Sequence, residues 1–307
     1  MHAQVIQLNE RPAATADTAA PPAAEPVAAG TPPAESAATP PARPQPNRER
    51  NRRIATSVLL PLLTFLLVLA GWSALQKTIA PELPTPGATW EHAKSLLADP
   101  FYENGPNDVG IGWQLLYSLG RVGAGFGLAA LVGIPLGFLM GMSTNMQRAF
   151  TPLIQILRPV SPLAWLPIGL LVFKAVNPSA IFVIFITCIW PMILNTATGV
   201  KAIPQDYLNV ASVLKLGKFE LARRILFPAT LPYVVTGMRL SLGVAWMVIV
   251  AAEMLTGGIG IGFWVWDEWN NLNVPSIIFA IGLIGLVGIA LDLVMGLAQS
   301  HFDYTKR

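Results

Sequence analysis

The sequence predicts an all-α membrane protein with about six transmembrane helices. Of its 307 residues, 53% are hydrophobic and only 12% charged, whereas soluble domains carry about 25% charged residues. Six apolar segments follow one another along the chain, each long enough to cross a hydrocarbon layer of about 30 Å. Between two of them hangs a polar stretch, 206–232, patterned like a pair of short helices.

Residues 1–47 are dominated by Ala, Pro, Thr and Glu. Such a segment cannot bury enough apolar surface to offset chain entropy, so it is expected to be disordered. With the basic run Arg48–Arg53 it makes up a tail over 1–53. The first apolar run, 54–76, directly follows that run. A basic patch before a hydrophobic stretch can also mark a signal peptide. This one starts too far from Met1 and is as long as a full span, which favours an uncleaved helix. Residues 77–112 form a polar loop with a short helix expected near 89–97.

The core, 113–300, holds five more apolar segments: 115–142, 150–173, 180–200, 233–255 and 277–298. The segment 150–173 is broken by Pro152, Pro159, Pro162 and Pro167. Prolines at membrane depth need neighbours or water for the carbonyls they free, so this segment is expected inside the protein. Gly123 with Gly127, Gly133 with Gly137, and Gly282, Gly285 and Gly288 are spaced for close helix packing. Residues 301–307 close the chain.

Six spans put both termini on one side, and the basic residues choose that side. The N-terminal flank, Arg148, Lys201, Lys215, Lys218, Arg223, Arg224, Lys306 and Arg307 share one face. Lys77, Lys94 and Lys174 are left for the other. Cytoplasmic termini, a cytoplasmic 206–232 stretch and a periplasmic 77–112 loop follow.

In 206–232, Tyr207, Val210, Ala211 and Leu214 share one helical face, and Phe219, Ala222, Ile225 and Leu226 share the next. Gly217 is expected to supply a left-handed hinge, with Pro228 and Pro232 stopping the second helix. A helical hairpin between spans is a handle for a soluble partner.

Chemistry is sparse. The chain has no phosphate loop followed by lysine and no metal-ligand spacing, and His2, His92 and His301 are scattered. The run Gly257–Gly262 emerges into Phe263, Trp264, Trp266 and Trp269, which reads as a membrane-interface loop. No catalytic residue, metal or cofactor is expected. The formal charge of +3 is no nucleic-acid signature. Cys188 is alone, so no intrachain disulfide can form.

Charges inside spans are costly and often functional. Arg239 and Asp292 are placed to pair. Arg121 can reach toward outer headgroups, and Arg158 lies on proline-broken backbone. All three arginines are candidates for an anion pathway, with Arg158 foremost and pairing with a carbonyl or with the 206–232 stretch as its alternative.

The 206–232 stretch resembles the coupling motif of permease subunits of bacterial ATP-binding cassette importers, where a Glu-Ala-Ala triplet precedes a glycine and an Ile-x-Leu-Pro ending. Asn209-Val210-Ala211 stands at the triplet and Ile225-Leu226-Phe227-Pro228 at the ending. Asn209 replaces the glutamate, and Lys215 stands where the glycine is expected. RPVSPLAWLPIGLL, GMRLSLGVAW and VAAEMLTGGIGIGFWVWD are similar to the branch serving nitrate, sulfonates and taurine, and DPFYENGPNDVGIGWQL is most similar to nitrate permeases. The resemblance implies a type I importer fold in the lipid bilayer of the bacterial inner membrane. It also implies cytoplasmic ATP-binding subunits, a periplasmic solute-binding protein and a second permease subunit, as a homodimer. Asn209, Val210, Ala211, Leu214, Leu216, Gly217 and Lys218 are then the expected ATPase contact. Nitrate, with nitrite or cyanate, is the expected cargo; sulfonate, taurine and bicarbonate stay open. A gradient-driven anion transporter is a further alternative but would call for inverted repeats and midplane carboxylates, and a membrane scaffold is another.

Overall fold

The computed structural model describes residues 48–106 and 108–302. The expected disordered tail lies outside the described residues up to residue 47, as do 303–307. Eleven α-helices are found among the described residues. Five are long and apolar enough to cross a membrane, or six if one bent pair counts as a single span.

Helix α1, Arg48–Thr78, starts at the basic flank rather than after it. From Leu59 it belongs to the unit Leu59–Arg307, which contains all the other helices, and it exposes Leu59, Leu62, Phe65 and Leu66. Helix α2, Pro86–Ala98, is the expected loop helix, lengthened at its start because the Thr85 side chain caps the Ala88 N–H. The next turn folds back through an isolated bridge between Glu103 and Val109 and delivers the chain to α3, Ile111–Met142.

Helices α4, Thr144–Leu157, and α5, Leu166–Phe173, are joined by a 3-10 turn, Pro162–Trp165, and cross at 96°. Pro159 and Pro162 lie in the break. Pro152 is carried inside α4 and Pro167 falls in the first turn of α5, where a missing N–H costs nothing. The expectation that this segment is interior fails. Ile154, Leu166 and Gly169 are buried, but Ile156, Leu171 and Val172 are at least 64% exposed.

Helix α6, Val176–Lys201, is the centre of the packing: 56% of its apolar window is buried, against 6% for the last helix. It lies between α3 and α9, Phe227–Thr256. Val122, Ala129, Ile184, Cys188, Met192, Ala245 and Ile249 form the shared core. Lipid is as apolar as leucine, so close backbone approach and cross-helix hydrogen bonds hold such helices together. On α3, the residues facing α6 are Gly125, Ala129, Gly133, Gly137 and Gly141, one every fourth position. An added Cβ at Gly137 or Gly141 would lie 2.5 Å from the Cβ of Thr196 or Val200. Gly133 and Gly137 were expected in such a seam. Gly123, Gly127, Gly282 and Gly285 were too, but they face open space, and only Gly288 of that last set meets a neighbour, Trp246. Between α6 and α9, the Ser241 hydroxyl donates to the Cys188 carbonyl at 2.8 Å.

After α9 come α10, Ile261–Asn270, and α11, Val274–Phe302. Trp246 on α9 donates to the Ile284 carbonyl of α11 at 2.9 Å, and His92 of α2 meets Ser276 at 2.7 Å.

The seam makes a contrast that melting curves in detergent can read. Gly137→Ala should destabilise by about 1–3 kcal/mol, because the neighbours have no room for a methyl. Gly123→Ala, into open space, should be neutral or slightly stabilising.

Candidate functional site

The hairpin between α6 and α9 is built differently from the sequence expectation. Helix α7, Gln205–Val213, ends in a double hydrogen-bonded turn: Leu216 N–H to Ala211 O at 3.1 Å and Lys215 N–H to Ser212 O at 3.0 Å. That closure needs a left-handed residue. The residue is Lys215, with φ 51°, and not Gly217. A side-chain-bearing residue there costs about 1–2 kcal/mol, a cost a glycine would not carry. Gly217 instead opens α8, Lys218–Leu221, its carbonyl accepting from Leu221 N–H at 2.9 Å.

Pro228 and Pro232 do not stop the second helix. A π-turn, Ala222–Leu226, widens the backbone just ahead of Pro228, and the chain passes from α8 into α9 still helical. The wide turn closes with the Phe227 N–H reaching back to Ala222 O. Pro228 sits in the first turn of α9, where it is tolerated.

The expected contact residues divide. Ala211 is buried, while Tyr207, Val210, Val213 and Leu214 are 56% to 80% exposed. Leu216 is half-buried and Asn209 exposed. A Cβ on Gly217 would meet nothing within 4 Å. The Lys218 side chain lies outside what is described. The outcome is a short helix with an apolar stripe facing away from its own protein.

Of the three intramembrane arginines, Arg239 meets Asp292 as expected, through two 2.6 Å hydrogen bonds, and also donates to Gln299 Oε1 at 3.1 Å. Arg121 does not reach for headgroups. Its side chain is 7% exposed and lies 2.5 Å from Glu253, whose side chain is 1% exposed; its Nε donates to Asn177 at 2.9 Å.

Glu253 is a buried charge at this site that sequence reasoning missed. Its carboxylate accepts from Arg121, from the Ser118 hydroxyl at 2.8 Å and from the Gly262 N–H at 3.0 Å. Gln114 and Ser118, two turns and one turn before Arg121 on α3, accept from Gly260 N–H at 2.6 Å and Ile261 N–H at 2.9 Å respectively. The Gly257–Gly262 run is therefore an elbow clamped onto buried polar groups, with positive φ at Gly257 and Gly258, while Trp266 and Trp269 beyond it are exposed. A Cβ at Gly260 would collide with the Glu253 carboxylate. The N-terminus of α10 faces this carboxylate, which is the favourable sign for the helix dipole. A signal was present: Glu253 and Asp292 are the only acids within the long apolar helices, and such acids need cations.

Arg158 caps α4 at the break and is exposed. Among the described residues its side chain makes no hydrogen bond or ion pair. It lines two clefts: one of about 470 Å³ with Thr151, Gln155 and Leu194, and one of about 320 Å³ with Thr187, Trp190 and Val244. The structure thus does not group the three arginines. Two are neutralised at separate levels of the bundle by different carboxylates, and one is left open.

A bundle of apolar helices with charges held at depth, a polar break and an outward-facing hairpin between spans defines the membrane-embedded subunit of a transporter. The chain belongs to the family described as binding-protein-dependent transport system inner membrane component, whose model matches residues 133–306; these are permease subunits of ATP-binding cassette importers. It is 44% identical to the nitrate import permease protein NrtB of Synechocystis sp., over 83% of this chain and 94% of that protein. To NrtB of Leptolyngbya laminosa it is 52% identical, over 67% and 74%. To the bicarbonate transport system permease protein CmpB of Synechococcus elongatus it is 44% identical, over 78% and 88%. Among solved structures, an inward-facing MetNI methionine ABC transporter chain shares the fold, with TM-score 0.53 at 14% identity, covering 61% of this chain and 93% of that one.

The clamp and the cap each have a measurable energy. Removing one partner of the buried pair, as in Arg121→Met or Glu253→Ala, should cost about 3–5 kcal/mol, and the double variant less than the sum; thermal unfolding of the purified subunit checks this. Lys215→Gly should raise stability by about 1 kcal/mol through relief of the left-handed residue.

Proposed function

We propose that this chain is the permease through which nitrate crosses the inner membrane, driven by ATP hydrolysis on cytoplasmic partner subunits and supplied by a periplasmic solute-binding protein. The observation that carries this is the 44% identity to a nitrate import permease over 94% of that protein's length. Bicarbonate is the second reading, because a bicarbonate permease matches at the same identity over 88% of its length. Both are planar, trigonal, singly charged anions. The pathway is expected between two copies of the chain.

Orientation follows from charge. The hairpin end carries Arg148, Lys201, Lys215, Arg223 and Arg224, against Lys77, Lys94 and Lys174 at the other, so the hairpin is cytoplasmic. The ATPase receives α7. Tyr207, Val210 and Leu214 present the apolar stripe, Leu216 and Gly217 the turn, with Asn209 and Lys218 at the rim and Ala211 holding the helix to its own protein. Exposed apolar surface on a charged hairpin is stabilised by a groove that covers it. Because α8, the π-turn and α9 are continuous, displacement of the hairpin moves a membrane span directly.

ATP hydrolysis by the reconstituted complex is the test. Nitrate-loaded binding protein should stimulate it, and Gly217→Arg should abolish the stimulation while the ATPase subunits still copurify. Stimulation by bicarbonate alone would move the cargo to the second reading. Absence of any associated ATPase would overturn the importer.

A further inference from the structure

We propose that Arg158, with Gln155 and Thr151, forms an anion-binding subsite within the membrane for a planar trigonal monoanion; this rests on the importer reading above and adds the residues that would hold the cargo. Depth is the first ground. The clefts beside Arg158 are lined by Ile186, Thr187, Trp190 and Leu194 of α6 and by Val244 of α9. All of these fall in the central half of their helices, Val176–Lys201 and Phe227–Thr256. The Arg158 clefts therefore lie level with the middle of these two apolar helices, away from the helix ends where lipid headgroups would serve a cation.

Charge is the second ground. An arginine within a membrane is retained where it is paired, hydrated or used. Arg121 and Arg239 have carboxylate partners at 2.5 and 2.6 Å, whereas Arg158 has none among the described residues. Donor chemistry is the third. Thr151, Gln155 and Arg158 stand at i, i+4 and i+7 on α4, so they line one helical face. The first two line the larger cleft together with Arg158, and neither side chain has a hydrogen-bond partner among the described residues. This face offers a hydroxyl, an amide and a guanidinium, all donors, and no carboxylate lines the cleft to repel an anion. A guanidinium presents parallel N–H groups in one plane, which match two oxygens of a planar oxyanion; an ammonium offers only a point charge.

The test uses the full complex in proteoliposomes, with its ATPase subunits and binding protein, and reads labelled nitrate moved per ATP hydrolysed. Arg158→Gln should lower that ratio about tenfold or more, and Arg158→Lys several-fold, because it keeps the charge and loses the fork. Gln155→Leu should lower it by a smaller factor. If Arg158→Gln fails to assemble, the other two variants decide. Ratios equal to wild type for an assembled Arg158→Gln, or for both other variants, overturn the subsite while leaving the importer intact. A wild-type complex that moves neither nitrate nor bicarbonate overturns the proposed function instead.

Discussion

A charge inside a bilayer has to be neutralised, hydrated or used, and the arrangement of this protein depends on how it meets that demand. At one end of the bundle the Glu253 carboxylate is 1% exposed and is satisfied by a guanidinium and a hydroxyl from α3 and a backbone N–H from α10. Those partners fix where α3 and α10 sit against α9, and Asn177 extends the network to the start of α6. Remove the acid and a cation is stranded in the core, while the elbow loses its anchor. The Arg239–Asp292 pair does comparable work nearer the hairpin, tying α9 to α11, but it is partly open to its surroundings and so less constraining.

Between these fixed points the helices meet through small residues rather than through interdigitating bulk. The run of glycines on α3 lets α6 approach until Ile184, Met192, Thr196 and Val200 lie against bare backbone. That closeness puts α6 at the centre, with α3 on one side and α9 on the other. The apolar side chains of α1 and α11 remain outward, as a surface facing lipid or a second subunit requires.

Hydropathy made the spans legible, because a long apolar run has few other stable uses. The loop helix and the Arg239–Asp292 pair could also be read. The clamp could not. Glu253 sits four residues before the glycine run and looks like the polar edge of a span, and only the fold shows that α3 brings Arg121 and Ser118 to it. Lys215 was hidden for the opposite reason. Residue type pointed to Gly217 for the left-handed turn, yet the hydrogen-bond closure of α7 falls on the lysine. The prolines were read rightly at one place and wrongly at another. Clustered at 159 and 162 they bend the chain as expected, but at 228 and 232 the helix continues, with Pro228 in the first turn of α9 and Pro232 carried inside it. The third span was expected inside the protein because burial was inferred from proline alone; within one chain its outer face has nothing to cover it.

Helix α9 ties these separate features into one mechanical element. Its first turn continues the hairpin through the π-segment. Arg239 then fastens it to α11, Val244 lines the cleft beside Arg158, and Glu253 clamps its far end to α3. A helix held at its far end and pushed at the near one cannot translate freely; it tilts or turns about the clamp. The wall of the Arg158 cleft lies between those points. π-turns often mark functional positions in helices, and here one lies where the lever meets the span. Under the proposed importer mechanism the clamp and the hairpin are complementary: without the first, displacement of the hairpin would be lost as sliding of α9 before it reached the cleft.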